Sequence, residues 1–306
     1  MKVWIASLMF MACIGVTGAL HAAPVDPAAE AGNQDEGSNE TGGEEATGTH
    51  SWDAPAIKVE GKQPALKEEE LIGSNEQPRW TSARRWNRTR TYVIPEGEIE
   101  FEFWHRLTVP RRSNHDSEEV DNRFLLEVEF GLPLRFQLDI YLQLSKQGSE
   151  GNFGVSAGKF EVRWAPFKWG FIYTNPTLYL EYTMENGEPD ALEGKILLGD
   201  KIIDGLHWGV NFVFEHVLGG DHDNIYAITA GISYTVIDSF FSIGLETENE
   251  FVDTAEDRGD FVNEHLLGPS IQIKPLPQMH VNIVAYAGIG GHSPAFRTWV
   301  VIGWEF

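Results

Sequence analysis

Cysteine is almost missing from this sequence, which has one, Cys13, in 306 residues. Cys13 lies in a short apolar run, residues 3–16, that follows Lys2 and leads into small residues. This pattern predicts a secretory signal peptide over residues 1–22, because the run is too short to span a bilayer as a helix. Removal of that peptide leaves neither disulfides nor thiol catalysis. A lipoprotein acylated at Cys13 is the alternative, and it fits poorly because Phe10 replaces the branched residue expected there.

Long apolar runs are also missing after the N-terminus. No later stretch approaches the roughly 18 consecutive apolar residues of a transmembrane helix, which excludes a helical membrane protein. The mean hydropathy of -0.26 is typical of a soluble protein. This value does not exclude a transmembrane β-barrel. Apolar residues that alternate with polar ones form a lipid-facing surface without raising the mean hydropathy.

Basic residues are scarce, with 23 Lys and Arg against 46 Asp and Glu and a net charge of -23. Residues 23–78 are acidic and rich in small polar residues, which predicts a disordered segment with too little apolar area to offset its ordering entropy. Residues 79–97 are instead basic and aromatic, with five arginines between Arg79 and Arg90. A nucleic-acid-binding arm is disfavoured in a secreted, acidic chain. We predict a periplasmic lead-in that docks at the mouth of the domain that follows.

From Glu98 onward, apolar and polar residues alternate with a period of two, which is the pattern of β-strands with two different faces. The clearest example is residues 135–144, where a helix would carry charge all around its surface. The pattern predicts three strands within 98–109, 123–130 and 135–144, and nine more near 154–165, 176–185, 192–202, 206–217, 224–236, 240–252, 263–274, 279–289 and 296–306.

The connections between these strands are short on one side and mostly longer and polar on the other. Together with an even strand number, this predicts an all-β protein whose residues 98–306 form an antiparallel transmembrane β-barrel of about twelve strands, with both termini in the periplasm. Residues 166–175 break the rule because they are long and aromatic where a short turn is expected, so ten or fourteen strands stay open. A soluble β-sandwich is the alternative fold.

The last strand carries an apolar row at every second position: Val300, Ile302, Trp304 and Phe306. We predict that this row faces lipid, and its terminal Phe resembles the insertion signal of bacterial outer-membrane barrels. The expected partners are outer-membrane lipid, lipopolysaccharide and the barrel-insertion machinery. Tryptophans near strand ends predict interfacial girdles. These tryptophans are Trp80, Trp86, Trp164, Trp169, Trp208, Trp299 and Trp304.

The polar face of the strands predicts the lining of a lumen with an excess of acid. The candidate pore-lining residues are Glu98, Glu100, Glu102, Glu127, Glu129, Asp139, Arg106, Arg123, Arg135, Glu246, Glu248 and Glu250. Acids and bases that pair across strands would close the interior of a small barrel. A water-filled pore with the same residues would favour cations or neutral solutes, because charged rings set selectivity.

Catalytic motifs are weak in this chain. His115 and Ser117 have the spacing of outer-membrane lipases, but they lie in a charged loop. Asp221-His222-Asp223 has the composition of a barrel protease rim without a second acidic pair. The acidic loop 253–260 has the oxygen ligands of a divalent-cation site, although solvated charges explain it equally well. With no phosphate, zinc or nucleotide motif, we predict no enzyme, no metal and no cofactor.

The strings Glu129–Tyr141 and Asn175–Tyr182 resemble the outer-membrane barrel family named for a phenol-degradation pathway, whose members are described as transporters. The resemblance implies passage of small solutes and transfers no site residues. We therefore predict a narrow channel or transporter for small cationic or neutral solutes in the outer membrane of a Gram-negative bacterium. The alternatives are a structural or surface-interaction barrel with a closed lumen and, third, an outer-membrane hydrolase.

Overall fold

The computed structural model describes residues 66–111, 120–147 and 152–306. The predicted signal peptide, most of the acidic segment and the His115–Ser117 pair lie outside these ranges. Short 3-10 helices span Lys67–Glu69, Arg79–Thr81 and Pro133–Arg135, and no helix in the described ranges is long and apolar enough to cross a membrane.

The fold is a closed antiparallel β-barrel of twelve strands, which confirms the predicted fold class. A two-stranded hairpin, β1 (Leu71–Ile72) and β2 (Gln77–Pro78), precedes it. The barrel strands are β3 (Ile99–Val109), β4 (Asp121–Leu132), β5 (Phe136–Gln147), β6 (Gly154–Trp164), β7 (Thr177–Glu185), β8 (Ala191–Ile203), β9 (Leu206–Val217), β10 (Asn224–Ile237), β11 (Phe241–Asp253), β12 (Val262–Leu276), β13 (Met279–Ile289) and β14 (Phe296–Glu305). Each strand pairs with the next in sequence, and β14 pairs with β3 to close the ring.

The two faces of the barrel are inverted relative to a soluble protein. On β7, Leu180 on the outer face is 55% exposed, whereas its neighbours Tyr179 and Glu181 on the inner face are 7% and 4% exposed. Alternation therefore places apolar side chains outside and polar ones inside, as a lipid environment requires. The alternative of a soluble sandwich is excluded by the closed ring. In the described residues, the other sheet is the two-stranded hairpin of β1 and β2, which is too small to cover an apolar face.

The connections define two ends of the barrel. At the turn end lie the start of β3, the end of β14 and the connections that follow β4, β6, β8, β10 and β12. At the loop end lie the other connections. The aromatic connection 165–176 is at the turn end and contains no strand, so the alternatives of ten or fourteen strands were wrong. Its Trp169 ring lies 5.4 Å from Trp80 and 5.3 Å from Tyr92, with an edge-to-face geometry in both pairs.

Residues 79–94, which we name the luminal plug, lie inside the barrel rather than only at its mouth. Trp80, Trp86 and Val93 are 2%, 1% and 0% exposed. The preceding residues dock at the turn end, where Asp238 accepts hydrogen bonds from the Lys67 and Glu68 N–H groups. The plug reaches Glu248 on β11 and returns to the turn end, where β3 begins.

Trp80, Trp86 and Trp299 are therefore not girdle residues, which corrects the prediction for these three. All three are at most 4% exposed and face the lumen, whereas Trp164 and Trp304 are 38% and 40% exposed on the outer face. An indole can occupy both places, because its large ring packs against neighbouring side chains in the lumen and against lipid on the outer face. The buried Nε1 atoms of Trp80, Trp86 and Trp299 have no hydrogen-bond partner among the described residues. The residue type alone did not distinguish them.

A row of glycines makes room for the plug. Gly199 of β8 lies directly opposite Gly209 of β9, and Gly209 lies directly opposite Gly231 of β10. A Cβ atom at Gly231 would lie 2.5 Å from the Trp86 ring, and one at Gly199 would lie 2.5 Å from the Thr91 methyl group. Any larger side chain in this row would occupy the space that the plug fills.

We expect Leu180→Arg to lower the free energy of unfolding in a lipid bilayer by about 2–4 kcal/mol, because a charge at mid-strand would face hydrocarbon. Leu134→Arg, in the exposed turn after β4, is the control and should cost about 0–1 kcal/mol. Denaturant titration in vesicles measures both. Equal effects of the two substitutions would show that the outer face of β7 does not lie in lipid.

Candidate functional site

The most prominent feature of the lumen is an unbroken ladder of carboxylates across eight neighbouring strands. Each acid lies directly opposite the next in the antiparallel register, so all eight share the inner face. In order from β14 to β9, the ladder contains Glu305, Glu100, Glu129, Asp139, Glu161, Glu181, Glu193 and Glu215. Because barrel strands tilt, the ladder climbs from the turn end to near the loop end.

Like charges directly opposite one another destabilise a sheet, so the ladder requires cations beside it. Strand residues supply some of them. Arg163 binds Asp139 at 2.9 Å and also contacts Glu161, and Lys159 Nζ lies 2.8 Å from Glu181. The further strand pairs are Lys195 with Glu193 at 2.7 Å and His280 with Glu100 at 2.5 Å. Within the described residues, the two ends of the ladder, Glu305 and Glu215, have no ion pair.

The plug brings further cations, and the first is Arg84. Its main partners, Glu102 and Glu127, lie directly opposite each other beside the ladder. Its Nε and Nη2 donate to the two oxygens of Glu102 at 2.9 and 2.7 Å, which is a bidentate pair, and Nη2 lies 3.4 Å from Glu127. The Arg84 guanidinium carbon is 3.8 Å from the centre of the Trp104 ring, a cation–π contact. The Trp104 N–H donates to Glu102 and Glu127 at 3.0 and 2.8 Å.

Arg90 completes this cluster from the other side of the plug. Its Nη2 lies 3.3 Å from both Glu102 and Glu127 and also binds Glu129. These three carboxylates are fully buried. Gln137 donates to Glu129 at 2.8 Å and accepts the Ile94 N–H at 2.8 Å, which fixes the point where the plug leaves the lumen. Breaking a buried pair of this kind costs about 3–5 kcal/mol, so the plug is held firmly.

Two of the three glutamates predicted on β11 also bind the plug. Glu246 accepts hydrogen bonds from the Asn87 and Arg88 N–H groups at 3.0 and 3.3 Å. Glu248 accepts from Arg88 Nε at 3.2 Å. Glu250 follows at the next inward position toward the loop end and is part-exposed. The structure thus places Glu246 and Glu248 against the plug, and Glu250 above it.

The other predicted lumen residues occupy different environments. Arg106 of β3 lies directly opposite Arg123 of β4 near the loop end and binds Asp121. Glu98 precedes β3 at the turn end and is part-buried. Arg135 lies in the turn after β4, where its guanidinium donates to the Ala165 and Pro166 carbonyls at 2.8 and 3.1 Å. Arg135 is therefore a turn residue, which corrects its assignment to the lumen.

Sequence reasoning missed the position of the plug inside the lumen. Its residues lack the period of two, and apart from β3, which follows the plug directly, the strands that it contacts lie far away in the sequence. One signal was present: residues 79–94 contain five arginines and no acid, while the predicted lumen contains an excess of acid. Charge complementarity between this basic segment and the acidic lumen would have predicted that the segment binds there.

Residues of the candidate loop sites and of the acidic clusters with metal-like spacing contact other parts of this chain. Asp253 accepts from Arg258 and from the Gly259 N–H at 3.1 and 2.8 Å. His222 stacks on His216 with ring centres 5.9 Å apart. Acidic groups with metal-like spacing, such as Glu102, Glu127 and Glu129, lie in the lumen, where the plug arginines bind them.

Glu69 anchors the plug at the turn end. Its Oε1 lies 2.8 Å from His207 Nε2 and accepts the Gly205 N–H at 3.1 Å, and Lys201 Nζ is 3.2 Å from Oε2. Burial raises the pKa of Glu69, but the hydrogen bonds from His207 and Gly205 and the Lys201 charge outweigh it and lower the pKa from 4.5 to about 2. The charged form of Glu69 therefore stabilises the anchor.

We expect Gly231→Leu to expel the plug while the barrel still forms, because the new side chain would take the place of the Trp86 ring. Trypsin should then cleave after the plug arginines, as mass spectrometry of the fragments would show. Gly194→Leu is the matched control, since its Cβ would meet no atom closer than 3.9 Å. Resistance of the Gly231 variant to trypsin would contradict this account of the plug seat.

The anchor should loosen in acid. Because the pKa of Glu69 is lower in the folded state, its contribution is complete above pH 4.5 and is lost as the pH falls toward about 2. A nitroxide on Leu71→Cys, which is exposed, should become more mobile across this window in an electron paramagnetic resonance titration. Glu69→Gln should remove the part of this mobility change that comes from Glu69, so that the nitroxide mobility changes less with pH. An unchanged titration in that variant would assign the loosening to another group.

Comparison with known proteins gives a likeness of fold. No protein-family model and no curated protein matches the chain. An outer-membrane channel from Pseudomonas putida F1 is similar, with a TM-score of 0.54 and 8% identity over 72% of this chain and 99% of that chain. The KdgM porin has a TM-score of 0.45 and 11% identity over 68% and 99% of the two chains, and the NanC porin has 0.45 and 13% over 68% and 98%. The chain therefore has the barrel fold of an outer-membrane channel.

Proposed function

We propose that this protein is an outer-membrane channel for small cationic or neutral solutes and that the luminal plug closes it at rest. The observation that carries the proposal is the carboxylate ladder, which runs along the inner wall from the turn end to near the loop end. A continuous row of carboxylates favours the passage of cations and repels anions. The resemblance to a family of transporters, noted from the sequence, is consistent with this function and stays a prediction.

The path of the plug supports reversible closure. Residues 79–94 enter the lumen and leave it at the same end of the barrel, so they can withdraw without crossing a strand or breaking a barrel hydrogen bond. Their contacts with the wall are side-chain hydrogen bonds, ion pairs and the packing of Trp86 on the glycine row. A channel that opens by withdrawal of such a segment keeps its barrel intact.

The membrane placement is part of the proposal. The outer face is apolar, and both the start of β3 and the end of β14 lie at the turn end. Since short turns face the periplasm in bacterial barrels, both termini would lie there and the loop end would face outward. Ile302, Trp304 and Phe306 are 38%, 40% and 77% exposed on the outer face, as an insertion signal read by the barrel-insertion machinery requires. Lipid and lipopolysaccharide would surround this face.

A structural or surface-interaction barrel is the second candidate, and the plug is the observation that favours it. If the plug never leaves, the buried ion pairs would serve only to fill the lumen. The third candidate, a hydrolase, gains no observation from the described residues, since His115 and Ser117 lie outside them and the His222 ring stacks on His216. The behaviour of the plug in a membrane separates the first two candidates.

A reversible disulfide tests the proposal. The hydroxyl oxygens of Thr89 in the plug and Thr229 on β10 are 3.1 Å apart, so cysteines at both positions can form a disulfide with little movement. We expect the double variant, in a Cys13→Ser background, to give no conductance in planar bilayers when oxidised. After reduction it should show brief cation-selective openings, each of which occurs when the plug leaves the lumen.

The single variant Thr89→Cys is the control and should show the same brief openings under both conditions. Identical conductance of the double variant in the oxidised and reduced states would contradict closure by the plug. A complete lack of conductance in every variant, including Gly231→Leu, would favour the structural barrel instead.

A further inference from the structure

We propose that Glu102, Glu127, Glu129 and the face of Trp104 form a binding site for guanidinium-bearing solutes, which Arg84 and Arg90 of the plug occupy when the channel is closed. The inference rests on the proposed function and names the class of solute that would open the channel. We call these four residues the guanidinium site.

The guanidinium site is complementary in shape to the planar guanidinium group of Arg84. Glu102 presents two oxygens to the edge of the Arg84 guanidinium, at 2.9 and 2.7 Å, while the Trp104 ring lies under its face at 3.8 Å. A planar guanidinium group makes the bidentate pair with Glu102 and the stacking contact with Trp104 at the same time. An ammonium group is a point charge that cannot bind bidentately or stack. The site therefore prefers a guanidinium to an ammonium of equal charge.

The barrel strands do not neutralise this site without the plug. Carboxylate oxygens of Glu102, Glu127 and Glu129 lie within 4.8 Å of one another. The strand bases that approach them are His280, 3.4 Å from Glu102, and Arg163, 4.0 Å from Glu129. Among the described residues, Glu127 has ion pairs only with Arg84 and Arg90. Three buried carboxylates cannot stay ionised together in such a space without a cation.

A second observation points to a cation at this place. Glu100, next to Glu102 on the inner face of β3, is 1% exposed, and its Oε2 has no hydrogen-bond partner among the described residues. Its other oxygen binds His280 at 2.5 Å. The hydrogen-bonding capacity of the acids around the site thus exceeds what the plug and the strands supply.

Withdrawal of the plug can therefore be driven by an exchange of cations. When Arg84 and Arg90 leave, protons or free cations neutralise the three carboxylates, and a cation that reproduces the bidentate pair and the stacking on Trp104 does so best. A solute that enters from the loop end meets the ladder acids Glu193 and Glu215, which are part-exposed, and gains the guanidinium site as the plug leaves it. Binding of solute and seating of the plug exclude each other.

The experiment measures plug seating directly. In the Thr89→Cys/Thr229→Cys variant, the rate of disulfide formation under mild oxidant reports how often the plug is seated. The probes are agmatine, which has one guanidinium and one ammonium, putrescine, which has two ammonium groups on the same four-carbon chain, and calcium chloride, all at one ionic strength. We expect agmatine to slow disulfide formation at least about fivefold and putrescine clearly less.

Variants of Trp104 isolate the stacking contact. Trp104→Phe keeps a ring face and should keep the preference for agmatine over putrescine, whereas Trp104→Leu should lose it. Glu127→Gln should weaken the effect of every cation. Equal effects of agmatine and putrescine, a stronger effect of calcium, or the same preference in the Leu variant would overturn the proposal, because each would show that charge alone displaces the plug.

The result of the agmatine experiment can be distinguished from the result of the conductance test of the channel proposal. If agmatine slows disulfide formation but Gly231→Leu passes no ions, the guanidinium site stands and the channel proposal fails. If the reduced double variant conducts but agmatine leaves disulfide formation unchanged, the channel proposal stands and the guanidinium site fails.

Discussion

The need to neutralise carboxylates inside a narrow barrel is the constraint on which the rest of this structure depends. Eight acids lie side by side across eight strands, and buried like charges are tolerated only beside cations. The strands provide cations for the middle of the ladder, through Arg163, Lys159 and Lys195. They provide no ion pair for Glu127, which lies beside the ladder and is bound by Arg84 and Arg90, so the barrel and the plug form one electrostatic unit.

The plug matches two different walls of the lumen. Toward β3 and β4 it presents Arg84 and Arg90 to carboxylates, and toward β8, β9 and β10 it presents Trp86 to a row of glycines. Ion pairs fix the side of the plug that faces β3 and β4, and steric fit to the glycines fixes the opposite side. The plug therefore has a single orientation in the lumen. The absence of any acid in residues 79–94 follows from this arrangement, since an acid there would face the ladder.

The sequence predicted the barrel well and its interior poorly, for physical reasons. Alternation with a period of two is local and is imposed by lipid on one side, so the twelve strands and the outward row ending in Phe306 could be identified from neighbouring residues. The seat of Trp86 at Gly231 lies on a strand far away in the chain, and although Arg84 binds Glu102 on the next strand, no local pattern marks either contact. Arg135 was misplaced because its left-handed backbone, φ 63°, ends the alternation one residue before β5.

Closure of this kind leaves the two ends of the lumen unequal. The plug enters and leaves at the turn end, so that end is filled by Trp80, Trp169 and Tyr92, while Arg88 at the tip of the plug is 32% exposed toward the loop end. A solute arriving through the loops meets the unpaired end of the ladder, Glu215, before it meets the plug. Solute and plug therefore approach the same row of carboxylates from opposite ends. In the proposed channel, advance of the solute and retreat of the plug would be coupled through the carboxylates that both bind, without any rearrangement of the strands.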